Sequence, residues 1–248
     1  MQQLGLIGYP LGHSFSKKYF TERFARQGIT DWQYELYPLP TLEALPKLLR
    51  ETEGLVGLNV TIPHKQGVLD FCTELHEGAK RIGAVNTLKR LPNGGWRGYN
   101  TDYIGFRESL GGWMGAAVDG VRALILGTGG AAKAVQVALE DLQVPYHYVS
   151  RSARPGVFAY TDLTPELLQE YRLIINTTPL GMAPNTETAP ELPYAALRAS
   201  HWLYDLVYNP ETTEFMQRGL AAGAQVKNGL EMLIAQAEAA WAIWQEKE

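Results

Sequence analysis

Two groups of residues in this sequence of 248 have types and spacings that could do chemistry. The first is Gly127-Thr128-Gly129-Gly130-Ala131-Ala132, with small residues at the three positions of a G-x-G-x-x-[G/A] turn. Gly127 allows a tight turn, Gly129 has no Cβ to keep the backbone away from a pyrophosphate, and small Ala132 lets a helix pack closely on a strand. The pyrophosphate would sit on the free N–H groups and positive dipole end of a helix beginning near Ala131. The flanking sequence supplies the context that such a turn needs. Val121 to Leu126 is a short, mostly apolar run of strand character, and Ala131, Ala134 or Val135, Ala138 and Leu142 then recur at helical spacing. Without that context the same glycines would mark a turn in some other α/β unit.

An NAD-type site places an acid about 20 residues on, where it accepts from the ribose 2′-OH. Here the second strand, Pro145 to Val149, is followed by Ser150-Arg151-Ser152-Ala153-Arg154, and the nearest acid is Asp162. Two guanidiniums and two hydroxyls suit a 2′-phosphate, because the planar Arg fork binds phosphate oxygens in pairs. NADP is expected over NAD; the other reading is a solvated basic loop. The second group is Lys65, following Asn59 and Thr61 on one face of a strand, together with Asp102 after Asn100-Thr101. A lysine with a carboxylate partner can move a proton while a cofactor moves a hydride, if burial lowers the ammonium pKa. Taken singly, Lys65 reads as a surface lysine and Asp102 as a helix cap.

The rest of the chain narrows the possibilities. A net charge of −4 gives no reason to expect nucleic-acid binding. The single cysteine, Cys72, excludes an internal disulfide, fits a reducing compartment, and reads as a small buried residue in a helix. The N-terminal residues do not have the pattern of a signal peptide, and no stretch approaches a membrane span of about 18 apolar residues, so a cytoplasmic protein is expected. His13, His64, His76, His147 and His201 lack metal-ligand spacing, which makes a zinc site improbable.

The elements that must position these groups follow from periodicity. Leu4 to Tyr9 reads as a strand; His13-Ser14-Phe15-Ser16 leads into a helix that stops at Gly28; Trp32 to Leu39 reads as a second strand. Thr41 to Glu51 has helical leucine spacing, with Pro46 in or near its first turn. Leu55 begins a strand that cannot continue in a ladder past Pro63. A helix is expected from Lys65 through Val68, Leu69 and Cys72, and a second from about Glu74 to Ile82. Asn93-Gly94 between two strand-like runs signals a hairpin with a type I′ turn, and Thr101 or Asp102 caps a helix to about Met114. From Val121 onward short strands near 121–126, 146–150, 172–176, 202–207 and 224–227 alternate with helices, the rhythm of a parallel doubly wound sheet. Gly229 to about Gln245 is a closing helix.

Seven segments occur in one order around the dinucleotide turn: Gly8-Tyr-Pro-Leu-Gly-His-Ser14-Phe-Ser16, Gly57-Leu-Asn59-Val-Thr61-Ile-Pro-His-Lys65, Gly83-Ala-Val-Asn86-Thr, Gly98-Tyr-Asn100-Thr101-Asp102-Tyr-Ile-Gly, Asn176-Thr177-Thr178-Pro-Leu-Gly-Met182, Asp205-Leu206-Val-Tyr208-Asn-Pro210, and Asn228-Gly229-Leu-Glu-Met-Leu-Ile-Ala-Gln236. In these segments the chain resembles the shikimate dehydrogenase family along nearly its whole length. The resemblance implies reversible reduction of the ring carbonyl of 3-dehydroshikimate with NADPH. It implies an α/β fold of two domains, an N-terminal substrate domain (1–102 with 229–248) and a Rossmann-like NADP domain (103–228), the last helix returning to the first domain so that Gln236 reaches the substrate. Ser14, Ser16 and Tyr208 would hold the substrate carboxylate; Asn59, Thr61, Asn86, Asp102 and Gln236 would bind the ring hydroxyls and the reacting oxygen; Lys65 and Asp102 would touch substrate as the acid/base pair. The cofactor would lie against Gly127, Thr128, Gly129, Gly130, Ala131, Ala132, Ser150, Arg151, Ser152, Arg154, Asn176, Thr177, Thr178, Met182, Leu206 and Gly229. Partners beyond the small-molecule substrate are limited to a second copy at most, the protein being a monomer or homodimer.

Three departures from the family pattern stand out. Ser150-Arg151-Ser152 replaces Asn-Arg-Thr, Lys133 stands where Arg is common, and the segment after Arg154 is short enough that a helix common in the family is trimmed or absent. Other readings are a quinate/shikimate dehydrogenase with broader substrate or NAD use, a nucleotide-sensing binding protein, and a folate-dependent dehydrogenase. Retention of Lys65 and Asp102 counts against a pure binder, and the lack of aromatic residues beside Asn59, Thr61 and Asn86 counts against a pterin.

Overall fold

The computed structural model describes residues 1–12 and 14–246, so His13 lies outside the described residues. The chain divides into two compact units, Met1–Thr101 with Ala237–Glu248, and Asp102–Gln236.

The first unit is built on six strands: β1 (Gln2–Gly8), β2 (Trp32–Pro38), β3 (Leu55–Val60), β4 (Glu74–Leu75), β5 (Thr87–Arg90) and β6 (Trp96–Tyr99), in the order β2-β1-β3-β5-β6-β4. The strands β1, β2 and β3 are parallel, and β5 runs antiparallel to both β3 and β6. Alternation sends Leu4 and Leu6 to one side of β1 and Ile7 to the other. Leu4 and Leu6 pack with Phe20 and Phe24 of helix α1 (Phe15–Gln27) and with Trp241 and Trp244; Ile7 packs with Leu45 and Leu49 of α2 (Leu45–Glu51). Ser14 caps α1 by accepting from the Lys17 N–H, and Gly28 ends it at a φ of 65°, a conformation open to glycine at little cost.

Local pattern and structure part company at four places in this unit. The leucine-spaced segment after Thr41 starts as a 3₁₀ turn, Leu42–Ala44, before α2. After Lys65 there is only a 3₁₀ turn, Gly67–Phe71, and Cys72 lies beyond it in extended backbone. Residues Glu74 and Leu75 pair with Arg97 and Gly98 of β6, so α3 (Glu77–Ile82) begins late, capped by the His76 ring. Strand pairing across the unit outweighs local helical preference there. Finally, the hairpin after β5 does not use a type I′ turn. Pro92 cannot take positive φ, and only Gly94 does (φ 85°): the Gly94 N–H closes a turn on the Leu91 carbonyl, and the Leu91 N–H then reaches Gly95. Such a turn with a glycine bulge also matches strand twist.

In the second unit come α4 (Asp102–Met114), β7 (Ala123–Leu126), α5 (Gly130–Asp141), β8 (Tyr146–Ser150), β9 (Val157–Ala159), α6 (Pro165–Glu170), β10 (Leu173–Asn176), β11 (Trp202–Asp205), α7 (Glu214–Ala221), β12 (Gln225–Lys227) and the start of α8 (Leu230–Gln245). The order β12-β11-β10-β7-β8-β9 is parallel throughout, with β7 first in sequence and the order reversing between β7 and β10. This is the doubly wound nucleotide-binding order, whose ligands lie outside the carboxyl ends of the strands at that switch point. Sequence periodicity leaves β9 unmarked, because Val157–Ala159 is only three residues long.

Helix α8 is divided between the units, where the sequence placed all of it with the first. Its beginning belongs to the second because Glu231 bonds Ser109 on α4, and Gly105 of α4 lies so close to the Met232 carbonyl that a Cβ would meet it. Its end carries Trp241 and Trp244 into the core of the first. Among the described residues no helix is long and apolar enough to cross a membrane, and no three of His, Cys, Asp and Glu gather to hold a metal ion.

Candidate active site

In the second unit a cavity of about 680 Å³ opens at the switch point of the sheet. The turn after β7, the loop after β8 and the loop after β10 line it, and most of the sequence-predicted cofactor residues come together there. Gly127 has a φ of 104°, and a Cβ on it would press against Thr177. Gly129 is the N-cap of α5 with no side chain capping the helix, and a Cβ on Gly129 or Gly130 would meet nothing. The helix therefore presents its free N–H groups to open space, a cradle for a phosphate. Buried Ala132 packs beneath, while Thr128 and Ala131 are more open.

Arg151, Ser152 and Arg154 form another wall. Ser150 is less available than its type suggests, since its hydroxyl donates to the Ser152 carbonyl at 2.6 Å. On the far side, Thr177 donates to the Leu126 carbonyl, and Thr178 donates to Asn176 Oδ1 through both N–H and hydroxyl. Asn176 is fully buried, so it holds Thr178 rather than lining the cavity, and its Nδ2 donates to Asp205 Oδ1 at 2.9 Å. Asp205 also accepts from the Val207 N–H and from Thr213, tying the loops after β10 and β11 together. Leu206, Met182 and Gly229 are not among the residues lining the cavity. Gly229 is required for another reason: a Cβ there would collide with the Leu206 carbonyl.

Burial pushes the Asp205 carboxyl up to about 6, against the pull of its three donors. Its folded value lies above its unfolded one, so the stability it contributes is fully present below about pH 4, lost as pH rises through 6, and absent above. The drop is worth about 3 kcal/mol. Urea unfolding between pH 4 and 7 is expected to show it in the wild type and a much flatter profile in Asp205→Asn; equal slopes in both would exclude Asp205 as the source.

The first unit carries a buried polar network. The Ser16 hydroxyl bonds Tyr34, and Tyr34 donates to Asn59 Oδ1 at 2.7 Å. Asn59 Nδ2 in turn donates to Thr87 Oγ1, its partner across the β3/β5 register. Thr87 donates to Asn86 Oδ1, which also accepts the Thr101 N–H, and Asn86 Nδ2 donates to Thr101 Oγ1. Burial holds the Tyr34 phenol well above its ordinary pKa, so it remains a donor. Tyr34, Thr87 and Thr101 are members of this network that the sequence does not single out. Alternation in β2 marks Tyr34 as inward, but nothing local marks Thr87 or Thr101. Thr61 starts the turn after β3, and its carbonyl accepts the His64 N–H. Half-buried Lys65 follows, its carbonyl held by the Val85 N–H at 2.7 Å. Asp102 is the first residue of α4, Tyr208 is largely exposed after β11, and buried Gln236 on α8 donates to the Leu233 carbonyl.

Residues 6–88 match the family model for the shikimate dehydrogenase substrate binding domain. The chain is 36% identical over 268 residues to the shikimate dehydrogenase (NADP(+)) of Nostoc sp., covering 99% of this chain and 91% of that one. It belongs to the shikimate dehydrogenase family. Among solved members, the shikimate 5-dehydrogenase of Thermus thermophilus in complex with NADP(H) and shikimate is 31% identical with a TM-score of 0.84, over 99% of this chain and 94% of that one. The shikimate 5-dehydrogenase of Listeria monocytogenes in complex with shikimate and NAD is 26% identical with a TM-score of 0.89, over 100% and 93%. The shikimate dehydrogenase fold thus spans both units, and the family's substrate-domain model covers the end of β1, all of β2 and β3, Lys65 and the start of β5, all in the first unit.

Proposed function

We propose that the protein is an NADP-dependent shikimate dehydrogenase, reversibly reducing the ring carbonyl of 3-dehydroshikimate to the hydroxyl of shikimate. The observation that carries the cofactor assignment is the switch-point cavity, in which an uncapped helix terminus and two arginines face one space. Gly129, Gly130 and Ala131 would hold the pyrophosphate, and Arg151 and Arg154 the 2′-phosphate. When bound, NADPH supplies the hydride to the carbonyl carbon. Lys65 and Asp102 give the proton to the carbonyl oxygen and take it back in the reverse direction. Ser14 and Ser16, with Tyr208, hold the substrate carboxylate through hydroxyls. Asn59, Thr61, Asn86 and Gln236 read the ring hydroxyls; a site made for each hydroxyl rejects analogues that lack one. Thr177 and Thr178 would shape the wall of the cofactor cavity, and Leu206, Met182 and Gly229 would meet the cofactor outside the cavity's lining. A single cysteine suits a cytoplasmic setting.

The test is formation of reduced nicotinamide by the purified protein, with shikimate or quinate offered against NADP or NAD. Turnover confined largely to shikimate with NADP is expected. Preference for quinate or NAD moves the protein to the broader relatives, and no turnover in any pairing removes the enzymatic reading. Arg151→Asp is expected to weaken NADP by about 10- to 100-fold while changing NAD little, because a charge-assisted pair becomes a repulsion. Unchanged NADP affinity would make the arginines a solvated loop.

A further inference from the structure

The strands β8 and β9 pair in parallel, Tyr148 with Val157, Val149 with Phe158 and Ser150 with Ala159. Parallel neighbours ordinarily need a connection of about a dozen residues or more, usually a helix. Here only Arg151 to Gly156 join them. The chain reverses within that length by two tight devices. Ser150 Oγ bonds the Ser152 carbonyl at 2.6 Å and accepts its N–H, folding the backbone directly after β8. The Arg154 and Val157 backbones then exchange two hydrogen bonds, of 3.1 and 2.8 Å, around Pro155 and Gly156, with Gly156 at a φ of 75°. Proline second and a left-handed glycine third are the residues a type II turn requires. Arg151, at the start of this loop, and Arg154, directly before the Pro155-Gly156 turn, both line the switch-point cavity.

We propose that the Pro155-Gly156 turn is the specificity-setting element of the cofactor site: it fixes the backbone of Arg154 so that the guanidiniums of Arg154 and Arg151 meet one 2′-phosphate together. The proposal rests on the reading of this cavity as the NADP site. Proline removes one backbone torsion, the glycine conformation selects the turn, and the paired hydrogen bonds hold both ends. Less order then has to be imposed when the phosphate binds, which raises affinity without adding a contact. NAD, which lacks the 2′-phosphate, gains nothing from it.

Gly156→Ala separates the turn from the contacts, because a Cβ there meets no atom within 4 Å and acts only through the strained φ. The expected result is a rise in the Kd and KM for NADP of about five- to tenfold, with KM for NAD and kcat at saturating cofactor unchanged. Gly156→Asn, which tolerates left-handed backbone better than alanine, is expected to recover most of the affinity. In an Arg154→Ala background, Gly156→Ala should add less than about a twofold further loss, since the turn acts through Arg154. Unchanged NADP affinity in Gly156→Ala, equal losses for NADP and NAD, or a full additional loss without Arg154 would each overturn the proposal. If Arg154→Ala and Arg151→Ala both leave NADP affinity intact, it is the cofactor reading itself that fails. Pro155→Ala provides an independent check in the event that Gly156→Ala does not fold, and is expected to act in the same direction.

Discussion

Lys65→Ala is expected to lower kcat by about 10²- to 10⁴-fold in both directions while KM for shikimate stays within about threefold, the range of a lost general acid/base. The local structure supports a residue whose place is closely defined. The Val85 N–H holds its carbonyl, and the preceding His64 is buried with its ring 2.5 Å from the Leu39 carbonyl. The Val68 N–H then bonds the His64 carbonyl, so the backbone is fixed on both sides of Lys65. Removing the side chain deletes the amine and leaves that frame intact, which is why the loss should fall on turnover. Lys65→Met, close in volume, should behave like alanine, and Lys65→Arg should also fail because a guanidinium does not give up its proton at neutral pH. Steady-state kinetics decides the matter, since near-normal kcat in Lys65→Ala would take Lys65 out of the chemistry. Asp102→Asn belongs in the same experiment, because the proposed reaction gives both residues a part in the proton transfer and a loss of turnover is expected in each variant.

The second large effect is on stability. Trp244→Ala is expected to cost about 3–5 kcal/mol, the range for removing a buried aromatic residue and leaving a cavity. Trp244 is 5% exposed, donates from Nε1 to the Leu88 carbonyl at 3.0 Å, and lies with Phe20 and Tyr34 at ring distances of 5.5 and 6.4 Å. Gly57 of β3 exists to admit it, as a Cβ there would collide with the indole ring. Truncation therefore loses apolar contact, leaves a gap in front of Gly57, and takes the indole donor from the Leu88 carbonyl. Tyr34 sits in the same cluster and orients Asn59, so substrate affinity should fall with stability. Urea unfolding measures the first effect and KM for shikimate the second. A cost below about 1 kcal/mol would show that the end of α8 is not part of this core.

Much of the molecule is legible in its residue order. Alternating and helical periodicities mark β1, β2, α1, α5 and the strands of the second unit other than β9 within a residue or two, and Gly28 ends α1 where a left-handed cap is needed. The glycine turn, the arginine loop and the short connection after Arg154 can also be read, because each depends on residues a few positions apart. Other features depend on partners that sequence distance conceals. Glu74 and Leu75 form a strand only because β6 is there to pair with them, and β9 only because a six-residue loop brings it beside β8. Tyr34 joins the buried network through Asn59, and Asn176 works behind Thr178 because Asp205 lies across the β10/β11 register.

By itself, then, the sequence determined most of the element types, the doubly wound rhythm, and which segments of chain carry the glycine turn, the arginine loop and the Lys65 and Asp102 side chains. Those properties come from propensity, periodicity and side-chain chemistry acting over one or two turns of chain. Only the tertiary structure decided which polar groups face the cavity and which are used up inside the protein. A buried amide or carboxyl must satisfy its hydrogen bonds, and the partners that satisfy it come from strands and loops distant in sequence and brought together by folding.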